Sequence, residues 1–268
     1  MVNWTHWHNE PLLVGTLVLA AWAYAVATGP WRFRLALGSA YPTRQARLFY
    51  GGLVVFYLAV GSPLDEIGER YLFSAHMLQH LIIVNLAAPL VLAGTPRWLL
   101  DGIIDRPPLR PILRALSAPV AAAVLFALCL SIWHVPAIYD AALRDKLLHV
   151  VQHLMFFATA LVLWWPLVSP SAVLPRRTPG VQVLYVVGLG ALQFPLVAFL
   201  NFSREALYPT YEFAPRLIAL APREDQILGG ALMGVGGMFV SLGLISRCFI
   251  RWHRESESPS PPADGPPR

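Results

Sequence analysis

The sequence predicts an all-α integral membrane protein of seven transmembrane helices, with the N-terminus outside and the C-terminus inside. Three observations predict it. Of the 268 residues, 56% are hydrophobic and 13% charged, and the mean hydropathy is +0.55; a soluble core could not hide so much apolar surface. Apolar runs near the length of a bilayer crossing recur along the chain, separated by polar connections that carry Pro and Arg. The basic residues gather on one set of alternate connections, which sets the orientation.

The first span, 11–28, follows a start with no basic region ahead of it, so it reads as a retained helix rather than a cleaved signal. The second, 46–61, has a short apolar core from Leu48 to Val60 that contains Gly51 and Gly52. Without it six spans would remain and the histidines would scatter over both faces. The third, 71–94, contains Pro89, which predicts a kink whose freed carbonyls need partners inside the bundle. Spans four and five, 117–134 and 147–168, are joined by about a dozen residues and must be neighbours. Span six, 181–201, holds a second kinking proline, Pro195. Span seven, 226–246, carries Gly229, Gly230, Gly234, Gly236 and Gly237, small residues that let neighbouring backbones approach closely. Residues 1–254 form one domain, and residues 255–268 lack the apolar content to pack, so they read as a disordered cytoplasmic tail.

With the N-terminus outside, the inner segments hold 14 of the 20 Lys and Arg residues. Six basic and ten acidic residues then lie outside, a net −4, against fourteen basic and five acidic inside, a net +9. The overall charge of +5 is therefore a topology signal and not a nucleic-acid footprint. An acidic outer face attracts cations, and the juxtamembrane Arg247, Arg251 and Arg254 meet anionic lipid at the inner face. Cys129 and Cys248 fall at opposite ends of their spans and cannot pair.

Seven of the eight histidines lie on the outer side in this topology. His76 with His80, and His149 with His153, are four apart, so each pair presents two imidazoles from one helix face. His134 closes span four at the same surface, and a connection with Pro136, Tyr139 and Asp140 leads into span five. His134, His149 and His153 can thus converge, and His76 and His80 join them if span three packs alongside. Ionisable residues inside a bilayer are costly and point to function, whereas His6 and His8 read as mobile terminal residues. Met77 points away from the axis of its flanking histidines and reads as packing; Met233, near Asp225 and Gln226 at the outer start of span seven, offers a thioether. Imidazole suits copper, zinc, iron and nickel, and thioether favours copper(I). The lack of a Cys cluster argues against iron–sulfur or structural zinc. The donor set alone leaves copper and zinc both open.

Three stretches resemble the multi-spanning CtaG-like assembly factors of caa-type cytochrome c oxidases. One is His76-Met-Leu-Gln-His80 running on to Pro89 and Gly94-Thr-Pro96; another is Trp133-His134-Val-Pro136-Ala-Ile-Tyr139-Asp140 with His149-Val-Val-Gln-His153 and Trp164-Trp165-Pro166; the third is Arg223-Glu-Asp225-Gln226-Ile-Leu-Gly229-Gly230-Ala-Leu-Met233. The resemblance implies a non-enzymatic factor of the bacterial plasma membrane that handles copper on the outer face. Its partners would be a heme-copper oxidase subunit or a copper donor. By the same resemblance His76, His80, His134, His149 and His153 are copper ligands or transfer ligands, with Asp225 and Met233 as secondary candidates. Gln152 stands where the family often has an acidic residue, which removes an expected carboxylate. Two other readings compete: an integral-membrane zinc or di-iron enzyme, and a bis-His heme electron-transfer protein.

Overall fold

The structure, a computed structural model, describes Trp7, Asn9 and residues 11–35 and 40–257. His6, His8 and residues 258–268 of the expected tail lie outside the described residues. The described elements are helices: α1 (Pro11–Thr28), α2 (Arg32–Leu35), α3 (Thr43–Gly61), α4 (Pro63–Arg70), α5 (Phe73–Ile82), a π turn (Ile83–Ala87), α6 (Ala88–Gly94), α7 (Arg97–Ile104) and α8 (Leu109–Leu116). They continue as α9 (Pro119–Trp133), α10 (Pro136–Arg144), α11 (Lys146–Val168), α12 (Pro179–Phe202), α13 (Pro209–Glu212) and α14 (Pro222–Glu257).

Five of these helical stretches are long and apolar enough to cross a membrane, and seven if each of two bent pairs is one span. The bent pairs are α3 with α4, at 44°, and α8 with α9, at 76°. They coincide with the second and fourth predicted spans. Helix α9 has 15 residues, about 22 Å at 1.5 Å per residue, short of the roughly 30 Å hydrocarbon layer. Its neighbour α8 carries Arg110 and Arg114 and has no buried residue, as expected of a helix lying along a surface. Large apolar side chains such as Trp22, Leu184, Phe194 and Phe239 face outward, where lipid rather than water suits them.

Local chemistry sets the boundaries. Pro63, Pro119, Pro136 and Pro179 open their helices at N1 or N2, where their missing N–H costs no hydrogen bond. Ser62 caps α4 by accepting from the Leu64 amide, and Asp145 caps α11 by accepting from Leu148 at 2.9 Å. The connection between spans four and five is itself helical, as α10. Helix α14 runs on through residues 255–257, the first of the expected tail.

Pro89 acts through the π turn. There the carbonyl five residues before Pro89 belongs to Val84, and proline has no N–H to offer it. The Trp164 indole donates to that carbonyl at 2.7 Å instead, the internal partner that a proline inside a span requires. Helix α12 passes Pro195 without losing its helical assignment.

Helices α5 and α6 pack on α3, α14 and α11; α11 packs on α9, α9 on α12, and α12 on α14. Helices α5, α9, α11, α12 and α14 surround a cavity of about 420 Å³ lined by Met77, His80, Phe126, Trp164, Gln193 and Met233 among others. Of the predicted glycine contacts, Gly229 lies against the Phe73 ring and Gly230 against the Asn201 side chain, too close for any Cβ, whereas Gly237 faces open space. The cysteines are both free and buried.

Candidate metal centre

Helix α5 carries His76 and His80 one turn apart, and its first turn is held from outside. Asp225 of α14 accepts from the Phe73 amide at 2.6 Å and from both the amide and the hydroxyl of Ser74. These are N–H groups that a helix start leaves without internal partners. Asp225 thus anchors the histidine helix. Gln226 similarly fastens the end of α12, donating to Leu200 O at 2.9 Å and accepting from the Leu207 amide at 2.7 Å.

Helix α11 brings His149 and His153 opposite α5. The ring centroids of His76 lie 5.5 Å from His149 and 6.0 Å from His153, and His80 lies 5.5 Å from His153. One nitrogen each from His76, His149 and His153 falls within 4.8 Å of the others, and all three residues are buried. The packing of span three beside span five, open at the level of sequence, is therefore realised. His80 borders this triad. His134 stands off, its ring 6.4 Å from that of His80.

The polar environment fits a cation. Among the described residues, neither nitrogen of His76 or His80 has a hydrogen-bond partner, nor has Nε2 of His149 or of His153. His76 faces the Gly68 carbonyl without a hydrogen bond of normal geometry to it. Buried polar atoms are almost always paired, so a cluster of orphaned imidazole nitrogens is what a metal's donor set looks like before the ion is counted. Gln152, in the position where a carboxylate was missed, also has both amide atoms unpaired.

The carboxylate arrives from elsewhere. Glu69 of α4 accepts from His149 Nδ1 at 2.6 Å, which places the proton on Nδ1 and leaves the Nε2 lone pair for a metal. Asp65, one turn earlier on the same helix, joins Glu69 and His149 in a second group whose ligand atoms lie within 4.8 Å of one another. Gln79 of α5 donates to Asp65 and, at 3.0 Å, to Ala59 O, tying α3, α4 and α5 together. The spacing of Asp65 and Glu69, i and i+4 in an outer connection rich in acid, was the available signal for this edge. The tyrosine wall was not anticipated: Tyr139 donates to Tyr211 at 3.0 Å, Tyr211 to Gly68 O, and Tyr208 to His134 O at 3.0 Å.

Met233 packs between two apolar clusters and lines the cavity. Met77 is fully buried against Phe73, Tyr139 and Leu200, as a packing residue should be, yet its sulfur touches His134.

No curated protein and no solved structure gives a match to this chain. Residues 22–255, a stretch that includes all five histidines near the centre, match the cytochrome c oxidase caa3 assembly factor family (Caa3_CtaG), and the chain belongs to that family.

Proposed function

We propose that this assembly factor binds copper in the centre formed by His76, His149 and His153 and assists its delivery to a heme-copper oxidase. In this reading it is a seven-span protein of the bacterial plasma membrane, N-terminus outside, with the centre at the outer ends of its helices. It acts by holding and passing an ion and performs no catalysis of its own. The observation that carries the reading is the group of three buried imidazole nitrogens within 4.8 Å, four of whose six nitrogens lack any hydrogen-bond partner, in a chain of an oxidase assembly family. His80 borders the group as a transfer ligand, and the acidic edge of Asp65 and Glu69 draws cations to it. The oxidase subunit that receives the ion, or a donor that supplies it, is the partner.

Metal analysis of protein purified without chelators tests this. Wild-type protein is expected to retain copper, and a variant carrying His76→Ala and His153→Ala to lose the share held by this centre at equal membrane abundance. A second reading, a metal-dependent membrane enzyme, draws on the carboxylate–histidine group of Asp65, Glu69 and His149, a donor mix that suits zinc or iron. Stoichiometric zinc or iron in place of copper would favour it. The heme reading gains no such support, because His80 is the single histidine lining the described cavity, and bis-His ligation takes two.

A further inference from the structure

His134 and Met77 meet in a contact that neither a proton nor packing explains. His134 terminates α9, and its Nδ1 lies 2.7 Å from the Leu130 carbonyl. A carbonyl only accepts, so the proton sits on Nδ1 and Nε2 of the neutral ring presents a lone pair. That Nε2 lies 3.3 Å from the Met77 sulfur, and a thioether is also an acceptor without a proton to give. Two lone pairs therefore face each other where both residues are shielded, Met77 at 0% and His134 at 1% exposure. No carboxylate touches His134 among the described residues, so the imidazolium form has no counter-ion at that point.

A soft cation shared between the two atoms removes the conflict. Metal–nitrogen and metal–sulfur bonds of about 2.0 and about 2.3 Å exceed in total the 3.3 Å separation. The ion would thus sit to one side of the line joining them, leaving room for a third donor. His80 is placed for that role: it borders both Met77 and the cavity, its ring lies 6.4 Å from His134, and both of its nitrogens are buried without partners. Thioether sulfur is a soft donor and favours monovalent copper.

We propose that Met77 Sδ, His134 Nε2 and His80 form a second metal site, specific for a soft monovalent ion, adjoining the all-nitrogen centre of His76, His149 and His153. His80 stands between the two sets, 4.2 Å from His76 and 5.5 Å from His153 by ring centroid, so an ion can change donors without leaving the protein. This site deepens the copper reading and rests on it for the identity of the physiological ion.

The test uses silver(I), which is soft and redox-inert, bound to the purified full-length protein and read by X-ray absorption at the silver edge. Wild-type protein is expected to show a sulfur neighbour together with nitrogen. Met77→Leu, a change of nearly conserved volume, is expected to lose the sulfur signal and to weaken silver binding by at least the roughly 10–100-fold that follows loss of a metal's outer-shell partner. Met233→Leu should keep the signal. Nitrogen-only coordination in wild type, or a sulfur neighbour that survives Met77→Leu, overturns the proposal. If Met77→Leu fails to reach the membrane, unaltered protein labelled with selenomethionine must show silver–selenium scattering, and its absence overturns the proposal as well. Copper analysis reports separately: silver bound through Met77 in a protein that retains no copper would sink the copper reading and leave the soft site standing.

Discussion

The two ends of the bundle treat buried polar groups in opposite ways. At the end that carries α7 and the connection after α11, Asp101 accepts from the Ser171 hydroxyl and from the Ala172 and Val173 amides and pairs with Arg97. Nearby, Gln182 donates to the Pro166 and Leu167 carbonyls and accepts from Cys248 and Arg251. At the histidine end, six imidazole nitrogens and both amide atoms of Gln152 are buried with no partner. An unpaired buried polar group costs about 1–3 kcal/mol. The groups named at the first end are satisfied by protein partners, whereas the second end leaves several such groups together, the arrangement on which the proposed metal centre rests.

The largest expected effect breaks this contrast at the histidine end. His80→Ala and His153→Ala, on different helices, should each remove most heme-copper oxidase activity under copper limitation, with near-normal membrane abundance on immunoblots. Their combination should be little worse than either, because residues acting as a unit are strongly non-additive. Full activity in well-expressed single variants would return these histidines to packing. Next in size, Glu69→Gln keeps the shape of the His149 partner but weakens its hold on Nδ1–H, and should reduce metal affinity about 10–100-fold; competition titration with a chelator measures this.

Smaller effects sharpen the structural side. Asp225→Ala removes the cap of α5 and should cost about 0.5–2 kcal/mol of stability, read as a lower denaturation temperature, and metal binding should weaken only as far as α5 frays. The smallest concerns acid. Burial pushes the Asp101 carboxyl up, but the hydrogen bonds from Ser171, Ala172 and Val173 and the Arg97 pair outweigh it and hold the group below its ordinary range. A depressed carboxyl contributes stability above its unfolded value, about 3.9, and loses it as pH falls through the folded one. Hydrogen exchange around Ala172 and Val173 should therefore rise below about pH 4, and Asp101→Asn should flatten that dependence. At the other end acidification acts through ligation instead, because imidazole ligates only when neutral and protons would compete with a bound metal.

Much of the centre was legible in the sequence because its signals are local. The i,i+4 histidine pairs read directly as sharing one helix face, and the glycines of α14 as points of close approach. What stayed hidden arrives from other elements. Met77 does point away from the His76–His80 axis, but the direction it takes leads to His134 on α9, a neighbour no local pattern specifies. The carboxylate missing at Gln152 comes instead from Glu69, across a bend between α3 and α4 that a hydropathy profile cannot register. Asp225 was a secondary ligand candidate by resemblance alone, and no local pattern showed that the orphan amides of α5 would bond to it. The connection through Tyr139 folds as α10 because Pro136 can open a helix and a run of good helix formers follows.

The π turn at Ile83–Ala87 makes one span into two wheels out of phase. Each residue of an α-helix turns by about 100°, so accommodating one extra residue in a turn rotates everything beyond it by about that angle. Upstream, the wheel is keyed to α14 and α11, where the imidazoles belong. Downstream, it is keyed to α3, where Gly94 rides directly on the Phe49 backbone and Gly52 meets Val91 too closely for a side chain. A single unbroken α-helix could satisfy one of these keyings and would swing the other out toward lipid. The extra residue lets one chain segment serve the histidine cluster and a packing seam that face different directions, and Trp164, bonded to the carbonyl at the joint, locks the offset between them.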